Sequence, residues 1–265
     1  MRSVSWRLCL IAAALSAGVA APMIARAQLA ASATVESEYR IRGVALSDGE
    51  PDLRLGLSYD HPSGAYAGAT LIGGETGSDG SHLLGYVAYA GFAVRSESGL
   101  IWDIGTTTSQ INLYLPIYPA AYSVQPLGYG GIEARNASTA STFHYRADYS
   151  ELYGGLSWRA TSVHLYISPE YLGQTMRTAY LDVTETVRPM THVRLFAHVG
   201  ALTPLAGSAG PGSTRERYDL GAGAVWELHH GEVQLAWSGI SPQVQYPIGY
   251  PQPRSAVILS VTGFL

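Results

Sequence analysis

The feature that most constrains the fold of this chain is a strict alternation of apolar and polar residues in short segments. In the clearest segment, Leu53, Leu55 and Leu57 alternate with Asp52 and Arg54. Successive side chains of a β-strand point to opposite faces of the sheet. Each segment is therefore predicted to be a strand with one apolar and one polar face. None of the segments has the 3.6-residue period of an amphipathic helix.

The alternation predicts twelve strands whose connections differ in length at the two ends. The predicted strands are residues 33–43, 52–60, 65–73, 82–95, 98–109, 149–158, 162–171, 178–188, 191–202, 217–228, 231–240 and 254–265. Connections after the even-numbered strands are short, such as "ATS" and "PM", whereas those after the odd-numbered strands are long. Tight turns at one end and long loops at the other are typical of outer-membrane barrels. The longest connection, residues 110–148, is predicted to be an extracellular loop.

The predicted fold is all-β: a closed antiparallel up-and-down transmembrane β-barrel of about 12 strands. After the N-terminal segment, no apolar run approaches the roughly 18 residues of a membrane-spanning helix, and an open sheet edge in lipid would leave backbone groups unsatisfied. The alternative is a soluble barrel or sandwich whose apolar faces point inward. Tyr59, Trp102, Trp158 and Trp226 lie on the apolar faces close to the short turns. An aromatic girdle at the periplasmic interface is expected there, so the membrane barrel is favoured.

The N-terminal segment predicts export. Basic Arg2 and Arg7 precede a short apolar core, "LCLIAAALSAGVAA", and a small-residue cleavage site at residues 25–27. We expect residues 1–27 to be a cleaved signal peptide and residues 28–265 to be a single barrel in the bacterial outer membrane. The only cysteine, Cys9, lies in the leader, so no disulfide or thiolate metal site is predicted for the mature chain.

The charge of the mature chain argues against nucleic acid as a partner. Without the leader, 13 of the 16 basic residues remain against 20 acidic ones, a formal charge of −7. The polar faces carry both signs, and we expect them to line a pore. The predicted pore-lining residues are Glu36, Glu38, Arg40, Arg42, Arg54, Asp103, His164, Asp182, Arg194, His198, Asp219 and Glu227.

The stretch "SEYRIRG", Ser37–Gly43, is predicted to continue the first strand. In that arrangement Glu38, Arg40 and Arg42 point into a wet lumen, while Tyr39 and Ile41 face lipid with Val35.

The sequence carries no recognisable catalytic or cofactor motif. A "GxSxG" nucleophile elbow is missing, and His164 and His198 lie on polar faces without an orienting motif, so both are interpreted as members of a lumen network. The acidic loops at 47–52 and 75–80 lack the EF-hand spacing. We therefore predict no enzyme activity, no catalytic residue, no metal site and no cofactor. A membrane-embedded hydrolase is the least favoured reading.

Two stretches resemble a known family. "SEYRIRGVALSDGEPDLRLGLSYDHPSGAYAG" (Ser37–Gly68) and "DYSELYGGLSWRATSVHLYISPEYLG" (Asp148–Gly173) are similar to the opening and the mid-chain hairpin of the TorF-type porin family. That proteobacterial outer-membrane family has no known function. The resemblance implies a barrel and a pore but supplies no substrate. Residues 110–148 have no match in it.

Together these features predict a channel for passive diffusion of small hydrophilic solutes. The mixed charges do not form the one-sign basic track expected of a sugar-acid porin. The alternative is a non-conducting barrel whose extracellular loops bind a partner or ligand, because facing charges could also pair and fill the barrel. Outer-membrane lipid and the barrel-assembly machinery are the other expected partners. The 110–148 segment is expected to constrict or cap the pore.

Overall fold

The computed structural model describes residues 28–47, 49–76, 80–117, 141–173, 176–207, 216–241 and 253–265. The predicted signal peptide lies outside these residues. The described part contains fourteen strands: β1 (Gln28–Glu36), β2 (Arg40–Ile41), β3 (Val44–Ala45), β4 (Asp52–Asp60), β5 (Ala65–Thr76), β6 (Gly80–Arg95), β7 (Ile101–Ile117), β8 (Ser141–Trp158), β9 (Thr161–Ser168), β10 (Arg177–Met190), β11 (Val193–Ala206), β12 (Arg217–Leu228), β13 (Gly231–Ser241) and β14 (Ser255–Phe264). A single 3₁₀ turn, Tyr171–Gly173, follows β9. In these residues we find no helix with the length and apolar character needed to cross a membrane.

Twelve of the strands form one closed antiparallel barrel, and β2 and β3 form a separate two-stranded sheet. Strands β4 to β14 pair with their sequence neighbours, and β1 closes the barrel by pairing with both β4 and β14. The predicted fold is confirmed. The short turns lie at one end of the barrel, called here the turn end, and the longer connections lie at the other, the loop end.

The two faces of the barrel wall have opposite chemistry. On the outside, Val35, Leu53, Leu55 and Leu57 are 45–56% exposed. On the inside, Arg54 and its even-numbered neighbours in β4 are buried or half-buried. A soluble barrel requires the reverse arrangement, since it would bury the leucines and expose the charges. The soluble-barrel alternative therefore does not fit.

The first predicted strand is wrong beyond Glu36. The chain leaves the wall at Ser37, where the Ser37 amide donates to the Leu259 carbonyl (2.9 Å), and then turns into the barrel. Tyr39 is only 1% exposed and Ile41 packs against the internal apolar cluster, so neither residue faces lipid. The two-residue alternation is real, but it belongs to a short hairpin and not to the wall.

The predicted loop 110–148 is too long at both ends. Strand β7 continues to Ile117 and β8 begins at Ser141, with ladder pairs from Gln110–Asp148 to Ile117–Ser141. The extension arises because β7 and β8 remain paired with each other beyond the ends of their other partners, β6 and β9. Residues 118–140, the rest of the predicted loop, lie outside the described residues.

Aromatic rings cover glycines on the inner wall. An added Cβ at each of these glycines would overlap the ring of an inward-facing aromatic residue on the next strand. The directly paired examples are Tyr66–Gly91, Tyr89–Gly68, Tyr153–Gly105, His164–Gly155 and Phe196–Gly223. Such cover compensates for the lost packing of a strand glycine. This packing accounts for part of the abundance of glycine and tyrosine, since three of the five rings belong to tyrosine.

Candidate functional site

The segment 37–47 forms a hairpin inside the barrel, called here the inner hairpin. Its strands β2 and β3 are joined by Arg42 and Gly43, whose φ angles are +49° and +76°. Two consecutive positive φ values fit a type I′ turn, which favours Asn-Gly or Gly-Gly. Arginine at such a position is uncommon, so the hairpin tip carries a side chain that the turn itself does not favour.

Hydrogen bonds hold the base of the inner hairpin. The Leu46 amide donates to the Tyr39 carbonyl (2.8 Å), and the Tyr39 amide donates to Ser47 Oγ (2.9 Å). Ser37 Oγ accepts from the amide of Leu259 in β14 (3.1 Å). Tyr39 and Leu46 also belong to the internal apolar cluster. The inner hairpin is therefore an ordered element that packs into the barrel.

Arg40 organises the inner hairpin from within. Its guanidinium donates two hydrogen bonds to the Glu38 carboxylate (3.0 Å each), one to the Gly43 carbonyl (3.0 Å) and one to the Pro253 carbonyl (3.2 Å). The residue is fully buried. Because a buried charge needs a partner and satisfied donors, Arg40 ties the turn to the connection before β14.

Arg42 crosses to a different part of the wall. Its guanidinium donates two parallel hydrogen bonds to the Glu151 carboxylate of β8 (2.9 and 2.7 Å). Its Cζ lies 4.0 Å from the ring centre of Tyr180, 5.5 Å from that of Tyr166 and 5.6 Å from that of Tyr171. Glu151, Tyr166, Tyr171 and Tyr180 are called here the tyrosine cage.

The tyrosine cage lies across the barrel from the root of the inner hairpin. The root joins β1 to β4, and five or six strand-to-strand steps separate this point from β9 in either direction around the twelve-strand barrel. The hairpin tip also lies against β12 and β13, since a Cβ built on Gly43 would be 3.1 Å from Asp219 Cβ and 2.8 Å from Ile240 Cβ. The hairpin tip thus touches the wall far from its origin and spans the lumen.

Two further charge clusters lie on the wall. Arg54 donates to Glu36 (2.9 Å) and lies 3.6 Å from the Asp52 carboxylate, and all three groups are buried. Arg194 forms ion pairs with Glu227 and Glu232 near the turn end. Opposite charges on neighbouring strands therefore pair inside the barrel.

His198 lies between two carboxylates. Its Nε2 is 2.8 Å from Asp219 Oδ1, and its Nδ1 is 3.5 Å from Asp182 Oδ1 and 3.2 Å from Thr184 Oγ1. The Thr184 hydroxyl donates to Asp182 (3.1 Å), so its hydrogen is not directed at the imidazole. Tyr180 also donates to Asp219 (3.2 Å), which connects this cluster to the tyrosine cage.

His164 belongs to a second hydrogen-bond network, which lies towards the turn end of the wall. Its Nε2 lies 3.3 Å from Asp103 Oδ2, and Tyr66 hydrogen-bonds both Asp103 and the Tyr153 hydroxyl. Ser168, on the same face of β9 as His164, donates instead to the Ser150 carbonyl (3.0 Å). The partners of His164 and His198 are thus mainly carboxylates and tyrosines, as in a structural polar network.

The twelve residues predicted to line the pore all lie inside the barrel, and nine of them are on the wall. Glu38, Arg40 and Arg42 are the exceptions, since they belong to the inner hairpin. The four predicted girdle residues are on the outer face, with 41–59% exposure, and lie near the turn end: Tyr59, Trp102, Trp158 and Trp226. That the inner residues line a conducting pore stays a prediction.

None of the four residues of the tyrosine cage was among the predicted site residues. Glu151 lies on the inner face of β8, flanked by buried Tyr149 and Tyr153, and the alternation of this strand could have placed all three inside. Tyr166 and Tyr180 also share the parity of polar neighbours, His164 and Asp182. Tyr171 carries no such signal, because the turn after β9 positions it. Within the residues that the structure describes, we find no cluster of three or more His, Cys, Asp or Glu side chains that could hold a metal ion.

A bacterial family of unknown function covers most of the chain. The family model described as "Bacterial protein of unknown function (Gcw_chp)" matches residues 20–228. The chain belongs to the Gcw_chp family. The TorF-type name suggested by Ser37–Gly68 stays a prediction. Membership in the Gcw_chp family brings no activity with it, so the function must be argued from the barrel itself.

Two solved structures illustrate the fold that this Gcw_chp member shares. The NanC porin aligns over 90% of this chain and 100% of its own, with a TM-score of 0.52 and 9% identity. The translocator domain of the autotransporter NalP from Neisseria meningitidis aligns over 97% of this chain and 93% of its own, with a TM-score of 0.51 and 13% identity. At these identities the likeness concerns the barrel fold alone. A search among curated proteins found no match.

Proposed function

We propose that the protein is an outer-membrane channel for small hydrophilic solutes and that its inner hairpin closes it at rest. The observation that carries the proposal is the position of the inner hairpin, whose tip contacts β8, β9 and β10 across the lumen from its root. A short segment that crosses a barrel blocks passage while it stays there and permits passage when it leaves.

The exposed apolar faces support a membrane location. Leucine, valine, isoleucine and tryptophan side chains cover the outside of the barrel, with Trp102 and Trp226 close to the turn end. Apolar surface of this extent would be unfavourable in water and is the lipid-facing band of an outer-membrane barrel. In this proposal the predicted signal peptide directs export, and the assembly machinery inserts the barrel.

The charge balance inside supports a preference for cations. Seven carboxylates of the described residues are buried, against five guanidinium groups inside the barrel if Arg42, whose side chain is 10% exposed, is counted with the four buried arginines: Glu36, Glu38, Asp52, Glu151, Asp182, Asp219, Glu232, and Arg40, Arg42, Arg54, Arg194, Arg217. Rings of carboxylates favour cations in pores. Passage would need no covalent step and would be passive.

A glycine variant tests the channel. In Gly43→Val the new side chain would collide with Ile240 and Asp219 and would oppose the positive φ, so the inner hairpin should leave its position. Gly49→Val is the matched control, because Gly49 also has a positive φ (+85°) but has no neighbour within 4 Å of an added Cβ. We expect proteoliposomes with Gly43→Val to take up small solutes faster than those with wild type or Gly49→Val. A KCl gradient should give a reversal potential of cation-selective sign.

The second candidate is a non-conducting barrel whose loops bind a partner. It is favoured by the tight interior, since His164, Asp182, Ser168 and Arg40 are at most 1% exposed. The same experiment separates the two functions. Correctly folded Gly43→Val protein that leaves the vesicles impermeable would refute the channel and favour the second candidate.

A further inference from the structure

We propose that the tyrosine cage is a binding site for guanidinium-bearing solutes and that Arg42 fills it as an internal substitute for the solute. The proposal adds a class of solute to the proposed channel function. It rests on that function, because a solute would reach the cage through the channel.

The cage has the composition of a guanidinium site. The Glu151 carboxylate, whose side chain is 4% exposed, accepts two parallel hydrogen bonds from the planar fork of Arg42. The Tyr180 ring lies 4.0 Å from the guanidinium carbon. Bidentate pairing and stacking on aromatic faces are the two interactions that distinguish guanidinium from ammonium. A guanidinium solute therefore fits the cage better than a simple amine of the same charge.

The cage is held by contacts that do not involve Arg42. The Tyr166 ring packs against Tyr153 (5.3 Å between centres) and Tyr180 (6.1 Å). Tyr171 packs edge-on against Tyr149 (5.3 Å), and its hydroxyl accepts from Arg217 (3.3 Å). Because the wall and the 3₁₀ turn position these rings, the cage should keep its shape when the occupant leaves. Preorganisation of this kind lowers the free-energy cost of binding.

The occupant, in contrast, sits in an unfavourable backbone conformation. Arg42 has φ +49°, where a non-glycine residue carries a steric cost. Such outliers persist when surrounding contacts over-determine them, and they concentrate at binding sites and switches. A free solute would make the same contacts without this backbone cost. The inner hairpin and the solute would therefore compete for the cage.

Competition couples binding to opening. A ligand shifts an equilibrium towards the state that it binds better. A guanidinium solute can occupy the cage only when Arg42 is absent, so it favours the state in which the inner hairpin has left the lumen. Solutes of this class would then open the barrel that they pass through.

The binding test uses Arg42→Gly, which empties the cage and gives the turn the Gly-Gly pair that a type I′ turn favours. Purified full-length protein in detergent is titrated calorimetrically with methylguanidine, N-methylurea and methylammonium. N-methylurea has the planar shape and size of methylguanidine without its charge, and methylammonium has the charge without the planar fork. We expect Arg42→Gly to bind methylguanidine more tightly than methylammonium and to show no binding of N-methylurea. Wild type should bind methylguanidine more weakly, because its cage is occupied.

A second variant keeps the test decisive. Arg42→Gly combined with Glu151→Gln retains the rings but removes the carboxylate, and methylguanidine affinity should fall about 30-fold or more. If Arg42→Gly binds the three probes equally, or binds none of them while folded, the proposal is overturned. Because binding in detergent needs no conduction, a barrel that binds methylguanidine but never conducts would refute the channel and leave the cage intact.

Discussion

The strength of the Arg42–Glu151 contact gives the most detailed prediction. In Glu151→Gln the guanidinium loses a bidentate, buried charge partner but keeps the three tyrosine rings. Removing one partner of a buried ion pair costs about 3–5 kcal/mol. The cation–π attraction of the rings is the same with and without the carboxylate, so it does not reduce this cost. The position of the inner hairpin should therefore be destabilised by about 3–5 kcal/mol. At about 1.4 kcal/mol per factor of ten, the population of the released hairpin rises about 150- to 4,000-fold.

Cysteine alkylation measures this population. Ser47 is completely buried at the base of the inner hairpin, and a Ser47→Cys variant in a Cys9→Ser background has a single thiol. When opening is fast relative to alkylation, the rate of modification by a membrane-impermeant maleimide follows the population of the open form. We expect Glu151→Gln to raise this rate by the factor given above.

The control is Asp148→Asn on the same strand. Asp148 lies on the outer face of β8, where it pairs with the exposed Arg146 at 3.0 Å. Exposed ion pairs contribute about 0–1 kcal/mol, so the alkylation rate should change less than about fivefold. If Glu151→Gln and Asp148→Asn give the same rate, the inner hairpin is not held by the cage and the reasoning is refuted.

Three further predictions concern the barrel itself. Gly105→Ala should lower the free energy of unfolding by about 1–3 kcal/mol, because its methyl group would overlap a tyrosine hydroxyl and a backbone carbonyl. In the control Gly154→Ala the new methyl group would lie 3.9 Å from its nearest neighbour, a backbone carbonyl, and should be tolerated. Urea unfolding in detergent compares the two variants. In lipid vesicles, Leu55→Arg near the middle of the outer face should lower the free energy of unfolding by about 2–4 kcal/mol, and Leu29→Arg at a strand end should lower it by about 0–1 kcal/mol, because the penalty for arginine falls towards the membrane interface. Equal losses of stability would contradict a lipid-facing wall. Arg194→Met should destabilise the barrel by about 3–5 kcal/mol, since two carboxylates lose their shared partner, and an unchanged urea midpoint would contradict this.

The barrel was predictable from the sequence because its wall obeys a single rule. A period of two specifies which residues face out, so Leu53 and Arg54 identify the faces of their strand without any other information. The difference between short and long connections adds the up-and-down order. Both signals are local, and the fold needs little more than their repetition around a closed sheet.

The inner hairpin was not predictable by the same rule, because alternation does not distinguish a wall strand from a short hairpin inside it. Tyr39 and Ile41 have the parity of lipid-facing residues, yet they pack within the barrel. The Arg42–Gly43 pair was the available signal, since glycine after a tip residue is typical of a two-residue turn. The cage was harder still to predict, because Glu151 and Tyr180 meet Arg42 only through the closure of the barrel.

Single-channel recording tests the central claim most directly. Wild-type protein and a variant with residues 38–46 replaced by a glycine-serine linker are reconstituted into planar bilayers, after electrophoresis confirms that both are folded. We expect wild type to remain closed with rare openings, and the variant to conduct continuously at one level. A folded variant that lacks the inner hairpin and stays silent would contradict the account, as would a wild type that is always open.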